Sequence, residues 1–111
     1  MKRFLAGGFL VSLGLMLCVT ISASRAEGVF TAGARLWPDL WFRATLADAY
    51  CGFLAVFVWI AWRERSAAAR IGWFVLLMTL GNIAIAGYFL IALARLGPGA
   101  EVDGLFQRKV A

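Results

Sequence analysis

Histidine is absent from the chain. Without imidazole, histidine-ligated haem, histidine-bound chlorophyll and most zinc sites are excluded, because imidazole is their usual ligand. The two cysteines, Cys18 and Cys51, stand in separate apolar stretches without C-x-x-C spacing, so thiols do not take its place. Charge is scarce as well. Charged residues are 15% of the chain against about 25% in ordinary soluble domains, and hydrophobic residues are 63% against roughly 45–50%. With 111 residues the chain is a single domain at most. A soluble domain of that size cannot hide so much apolar surface from water, whereas a lipid bilayer accepts it.

The net charge of +5 does not point to nucleic acid. Nucleic-acid modules carry a continuous basic stripe or patch, but here Lys and Arg gather at the ends of apolar runs, as in membrane proteins. No nucleophile–base pair, Gly-rich phosphate loop or metal-ligand cluster stands out, so neither an enzyme nor a cofactor is expected.

Three apolar runs remain. The first, Phe4 to Ala23, has twenty uncharged residues behind Lys2 and Arg3 and spans about 30 Å as a helix, the thickness of a hydrocarbon core. A signal peptide ending after Ala26 is the rival reading, since Ser22-Ala23-Ser24-Arg25-Ala26 is rich in small residues. The run is longer than the roughly 7–15 residues of a signal core, which favours a retained helix. The second run, Ala49 to Trp62, reaches spanning length by extending back to Ala44 through Asp48. Pro38 and Asp39 suit a still earlier start, and Arg63-Glu64-Arg65 closes the helix. The third run, Ile71 to Ala94, spans about 36 Å, ending at Arg95 and Gly97-Pro98-Gly99. The expectation is an all-α membrane protein of three transmembrane helices (4–23, 44–62 and 71–94) with short loops, forming one unit over 1–95. Residues 96–111 then form a polar, mobile tail.

Charge bias across each helix places the amino terminus and the Ser66 loop in the cytoplasm and the carboxyl terminus outside. Five Lys and Arg then lie inside and six outside. Trp37, Trp41, Phe42, Trp62 and Trp73 fall near helix ends, as an aromatic belt does, and Tyr88 falls near the outer interface.

Polar residues inside such a bundle are candidate sites. Counting from the helix ends puts Asp48 about 22 Å and Asn82 about 18 Å from the cytoplasmic face, and Thr20 about 7 Å inside the outer face. Asp48, Asn82 and Thr20 thus reach similar depth and are expected to meet, with Tyr50 nearby. The cluster serves either as a packing clamp or as a proton or ligand site. Gly14, Cys18 and Ser22, like Ala44, Asp48 and Gly52, form small-residue faces that let helices approach. Cys18 and Cys51 lie at comparable depth, as a disulfide or as inert buried thiols. Arg63, Arg65 and Arg70 either meet anionic headgroups or serve only as a topology signal.

Ala44-Thr45-Leu46-Ala47-Asp48-Ala49-Tyr50, Val58-Trp59-Ile60-Ala61-Trp62-Arg63-Glu64 and Leu80-Gly81-Asn82-Ile83-Ala84 together resemble a family of small multi-pass membrane proteins of bacteria and plants, a domain of unknown function. The likeness runs from the first helix to Arg95. It implies that the first helix is retained and supplies no activity. The likeness does not rest on Cys18, Cys51 or the basic tail. The resulting expectation is a non-enzymatic subunit of the inner membrane, bound to the lipid bilayer and to copies of itself or a larger complex. The alternative is a minimal oligomeric carrier using Asp48.

Overall fold

Polar residues at the ends of the apolar runs carry the helices further than the runs themselves. The computed structural model describes residues 1–96 and 102–109. Its helices are α1 (Lys2–Ala26), α2 (Val29–Leu36), α3 (Leu40–Arg63), α4 (Ala67–Leu80) and α5 (Asn82–Arg95), followed by a 3-10 turn over Val102–Phe106. No strand occurs among the described residues. The Asp39 carboxylate accepts from the Trp41 and Phe42 amides at 2.8 and 3.2 Å, an N-cap that starts α3 at Leu40. Ser66 caps α4 through the Ala69 amide.

The third apolar run is not one helix. It breaks at Gly81, whose φ of 56° and ψ of −118° lie where side chains are disfavoured. A Cβ there would stand 2.6 Å from Phe53 Cζ, so glycine is needed for backbone and for space. The break reverses the chain. Trp73 and Tyr88 are fifteen residues apart, about 22 Å along a continuous helix, yet their ring centroids are 4.9 Å apart. The Tyr88 hydroxyl also reaches Glu64, ahead of α4, at 3.1 Å. So α4 and α5 form a hairpin about 21 Å deep. Among the described residues, only α1 and α3 are helices long and apolar enough to cross a membrane. The expected three spans become two, plus this folded-back pair.

α5 packs most extensively along α1. Phe9 stacks on Phe89 with centroids 4.3 Å apart, while Asn82 lies level with Leu15 and Met16, so the two helices are antiparallel. Their partners are small: Ala84, Ala86 and Ala92 of α5 are buried. The beginning of α1, the Ser66 loop and the end of α5 consequently gather at one end of the molecule, here called the near end. At the far end α1 turns into α2 and on to α3. The core belongs to the near half, around Ile60, Leu77, Ala84, Tyr88 and Leu93. α1 buries none of its residues.

The tail returns to the near end too. Leu105 is buried, the Lys109 amide donates to the Arg63 carbonyl at 2.9 Å, and Arg65 Nε donates to the Lys109 carbonyl at 2.6 Å. The tail over residues 102–109 thus lies at the same end as the Ser66 loop, whereas the expectation put them opposite: a hairpin returns the chain to the end it left. Over these residues the tail is hydrogen-bonded to the end of α3 and the loop after it. The Gly97-Pro98-Gly99 break lies outside the described residues.

Candidate functional site

The near end holds a buried polar cluster. α3 ends at Arg63, and Glu64 follows as its C-cap, donating its amide to the Ile60 carbonyl at 2.8 Å. Arg70 of α4 reaches back to the Ala61 and Glu64 carbonyls at 2.9 and 3.0 Å, acceptors that a helix end leaves without partners. Arg63 and Glu64 are only 7% and 4% exposed, unusual for charged residues. Each is bonded. Tyr88 donates to Glu64 Oε2 at 3.1 Å and accepts from Arg63 Nη1 at 3.3 Å, and Arg63 Nε donates to the Gln107 carbonyl at 3.1 Å. The Lys109 ammonium straddles the Glu64 carboxylate, 2.8 Å from Oε1 and 2.5 Å from Oε2.

Aromatic faces complete the setting. The Arg63 guanidinium carbon lies 5.6 Å from the centroid of Trp59 and 5.8 Å from that of Tyr88, within cation–π range. Trp59 stacks on Phe89 at 4.8 Å. Its indole N–H finds no acceptor among the described residues, so its packing there rests on ring faces. Beside this cluster lies an open depression of about 270 Å³, with Arg63, Arg95 and Lys109 as its charged lining and Ile91, Ala92 and Leu96 as its apolar lining. Among the described residues, no group of three or more His, Cys, Asp and Glu comes together.

The residues singled out from sequence are distributed differently. Asp48 lies fifteen residues before the end of α3, about 22 Å along it and near the level of the hairpin tip; its side chain is exposed. Asn82 lies at the tip, on a groove shared with Phe9, Ser12, Leu15 and Met16. Thr20 lines another groove, between α1 and α2. No hydrogen bond joins these three among the described residues. Tyr50 does bond across helices, donating to the Met78 carbonyl at 2.9 Å. That carbonyl belongs to the last turn of α4, where the broken ladder needs an outside donor.

Cys18 and Cys51 are exposed free thiols, neither paired nor buried. The small-residue faces are open: a Cβ on Gly14 or Gly52 would meet nothing within 4 Å. Trp37 and Trp41 stay exposed at the far end, with Arg43 lying 4.8 Å over the Trp37 ring. Trp73 instead packs edge-on against Tyr88. Tyr88, expected at the outer interface, is the centre of the near-end cluster. Sequence reading missed it because its partners lie 24 and 25 positions earlier, and only the reversal at Gly81 brings them together.

Fold and cluster together define an all-helical chain with two span-length apolar helices and a half-length hairpin, pinned at one end by a buried polar network. The chain belongs to the family described as Protein of unknown function (DUF1475), whose model matches residues 4–102. The match begins two residues into α1, covers α2 to α5 in full and ends at the first residue of the 3-10 turn. No curated protein and no solved structure matches the chain.

Proposed function

We propose that the chain is an integral protein of the cell's inner membrane. α1 and α3 cross the bilayer, α4 and α5 enter it from the near end and return, and the whole serves as a non-enzymatic subunit beside copies of itself or other membrane proteins. One observation carries this reading. α1 is a 25-residue apolar helix that buries none of its residues in its own chain, and Phe4, Leu10, Val11 and Leu15 are among the apolar side chains it leaves exposed. Water is a poor neighbour for that surface, and lipid or another helix is a good one. The open small-residue faces of α1 and α3 suit close helix contact. The stacking of Phe9 on Phe89 supports retention of α1, because its loss would strip the face of α5.

Extraction of cell membranes with alkaline carbonate, then native mass analysis in mild detergent, tests both halves of the proposal. The expected result is a chain that stays with the membrane and is recovered as an oligomer or with a partner. Release by carbonate would overturn the membrane reading, and a lone monomer in every mild detergent and in nanodiscs would overturn the subunit reading.

A second reading, a carrier built around Asp48, draws on the hairpin tip. Non-helical backbone at membrane depth is tolerated where protein buries it or where it lines a water-filled cavity, and broken helices of transporters place their ends at such sites. Gly81 and Asp48 share that level.

A further inference from the structure

Among the described residues, the depression at the near end carries more positive charge than the groups around it balance. Arg63, Arg95 and Lys109 line it, and Glu64 is the carboxylate bonded within the cluster. Lys109 takes up that carboxylate directly, while Arg63 reaches it only through the Tyr88 hydroxyl. Among the described residues, three cations thus share one anion. The Arg63 guanidinium has five N–H donors, and only Nε and Nη1 are bonded among the described residues. Arg95 makes no hydrogen bond or ion pair among them. Two guanidinium groups therefore have donors to spare beside one opening. Ile91, Ala92 and Leu96 line the same opening, an apolar surface that a small soluble anion would leave unused.

We propose that this depression binds a phosphate-bearing anion, presented as the headgroup of an anionic phospholipid whose apolar part lies against Ile91 and Leu96. Guanidinium groups match phosphate oxygens through paired N–H donors. The position at the end of the α4–α5 hairpin, which the membrane reading above puts at the bilayer surface, is where a headgroup and the start of an acyl chain coincide. The proposal rests on that reading for the lipid and on the lining residues for the phosphate. Arg65 and Arg70, the basic residues most visible in the sequence, are engaged with backbone carbonyls. The ligand falls instead to Arg95, from another part of the chain.

The test uses the full chain in phosphatidylcholine nanodiscs containing a minority of phosphatidylglycerol, with the retained lipid counted by native mass analysis. Phosphatidylglycerol should be enriched over phosphatidylcholine, and Arg95→Gln should reduce the enrichment about fivefold, the effect of one basic residue at a membrane surface. Arg95 is exposed, so the variant should fold, and Arg95→Lys should retain part of the enrichment. Arg25→Gln, at the far end, should leave the enrichment unchanged. No enrichment in the parent, or equal loss from Arg25→Gln and Arg95→Gln, overturns the proposal. A second arm adds inorganic phosphate to the detergent-solubilised chain at matched ionic strength. If phosphate raises the melting temperature of the parent but not of Arg95→Gln while phosphatidylglycerol is not enriched, the lipid is overturned and a soluble phosphate compound takes its place. Release of the parent from membranes by carbonate would overturn the membrane reading alone, leaving the phosphate arm to decide the pocket.

Discussion

A methyl group on Gly81 would collide with the Phe53 ring and would hold a backbone conformation that glycine alone takes easily. Gly81→Ala should therefore cost about 1–3 kcal/mol from backbone strain, besides the displacement of Phe53. A lowered melting temperature in detergent checks this, and Phe53→Ala in the same chain should restore only part, since it relieves the collision and leaves the strain. An alanine variant as stable as the parent would mean a continuous third helix. Glu64 offers a second test. Its carboxylate, almost fully buried, pairs with Lys109 and meets Arg63 through the Tyr88 hydroxyl, so Glu64→Gln leaves Lys109 without its anion, at a cost of about 3 kcal/mol, near the lower end for a broken buried pair because Lys109 is a third exposed. Trypsin should then cut at Arg108 and Lys109 sooner than in the parent. Tyr88→Phe, which loses only hydroxyl bonds, should speed cleavage less. Asp48 separates the two functional readings. If it moves protons, Asp48→Asn should abolish function while abundance and oligomeric state persist. If it only packs, the amide should serve, and Asp48→Leu should lower accumulation. An Asp48→Leu chain as abundant and active as the parent would remove both roles.

At the scale of elements, α1 is legible as an uninterrupted apolar run behind basic residues, and α3 as a shorter run extended back through Asp48 and closed by Arg63-Glu64-Arg65. Asp39 could be read as a start signal because capping is local chemistry. The break in the third helix was not legible. Gly81 lies in a run that also contains Gly72 and Gly87, both with open space around them, and nothing local distinguishes the glycine that turns from those that do not. What selects Gly81 is Phe53, from another helix. α2 is missed for a similar reason: its eight residues read as part of a loop, although they form about two turns of amphipathic helix tied back to the end of α1. The tie is Arg35, whose Nη2 and Nε donate to the Glu27 carboxylate at 2.6 and 3.2 Å. These hydrogen bonds hold the Glu27 carboxyl below the ordinary carboxylate range. A depressed folded pKa stabilises above the ordinary value and is lost as pH falls through the folded value. Amide exchange in α2, taken relative to the intrinsic rate at each pH, should accordingly rise on acidification below the carboxylate range in the parent. In Glu27→Gln it should be raised already at neutral pH and change little. Identical exchange in the two chains at neutral pH would show that the pair does not hold α2.

For the whole molecule, the hairpin changes the charge balance on which orientation depends. With three crossings, Lys and Arg divide five against six and give little direction. With two crossings and a returning pair, Arg95, Arg108 and Lys109 join Lys2, Arg3, Arg63, Arg65 and Arg70 at the near end, leaving Arg25, Arg35 and Arg43 at the far end. Eight of the 11 basic residues then lie on one side, a bias of the kind that holds short loops in the cytoplasm. On the proposed membrane reading, the same residues that divide evenly with three crossings favour one orientation once the third run folds back. Orientation is thus the property most sensitive to Gly81. We expect the amino terminus, the Ser66 loop and the tail to share the cytoplasmic side, with α2 alone outside. Cysteines introduced singly at Ser66, Gly104 and Ala32, in a chain whose Cys18 and Cys51 are replaced by serine, distinguish the arrangements with a reagent that cannot enter intact cells. The expected pattern is labelling at Ala32 only, with Ser66 and Gly104 labelled after lysis. Labelling of Gly104 but not Ser66 in intact cells would restore three crossings. Labelling of both, with Ala32 protected, would keep the hairpin and invert the chain in the membrane.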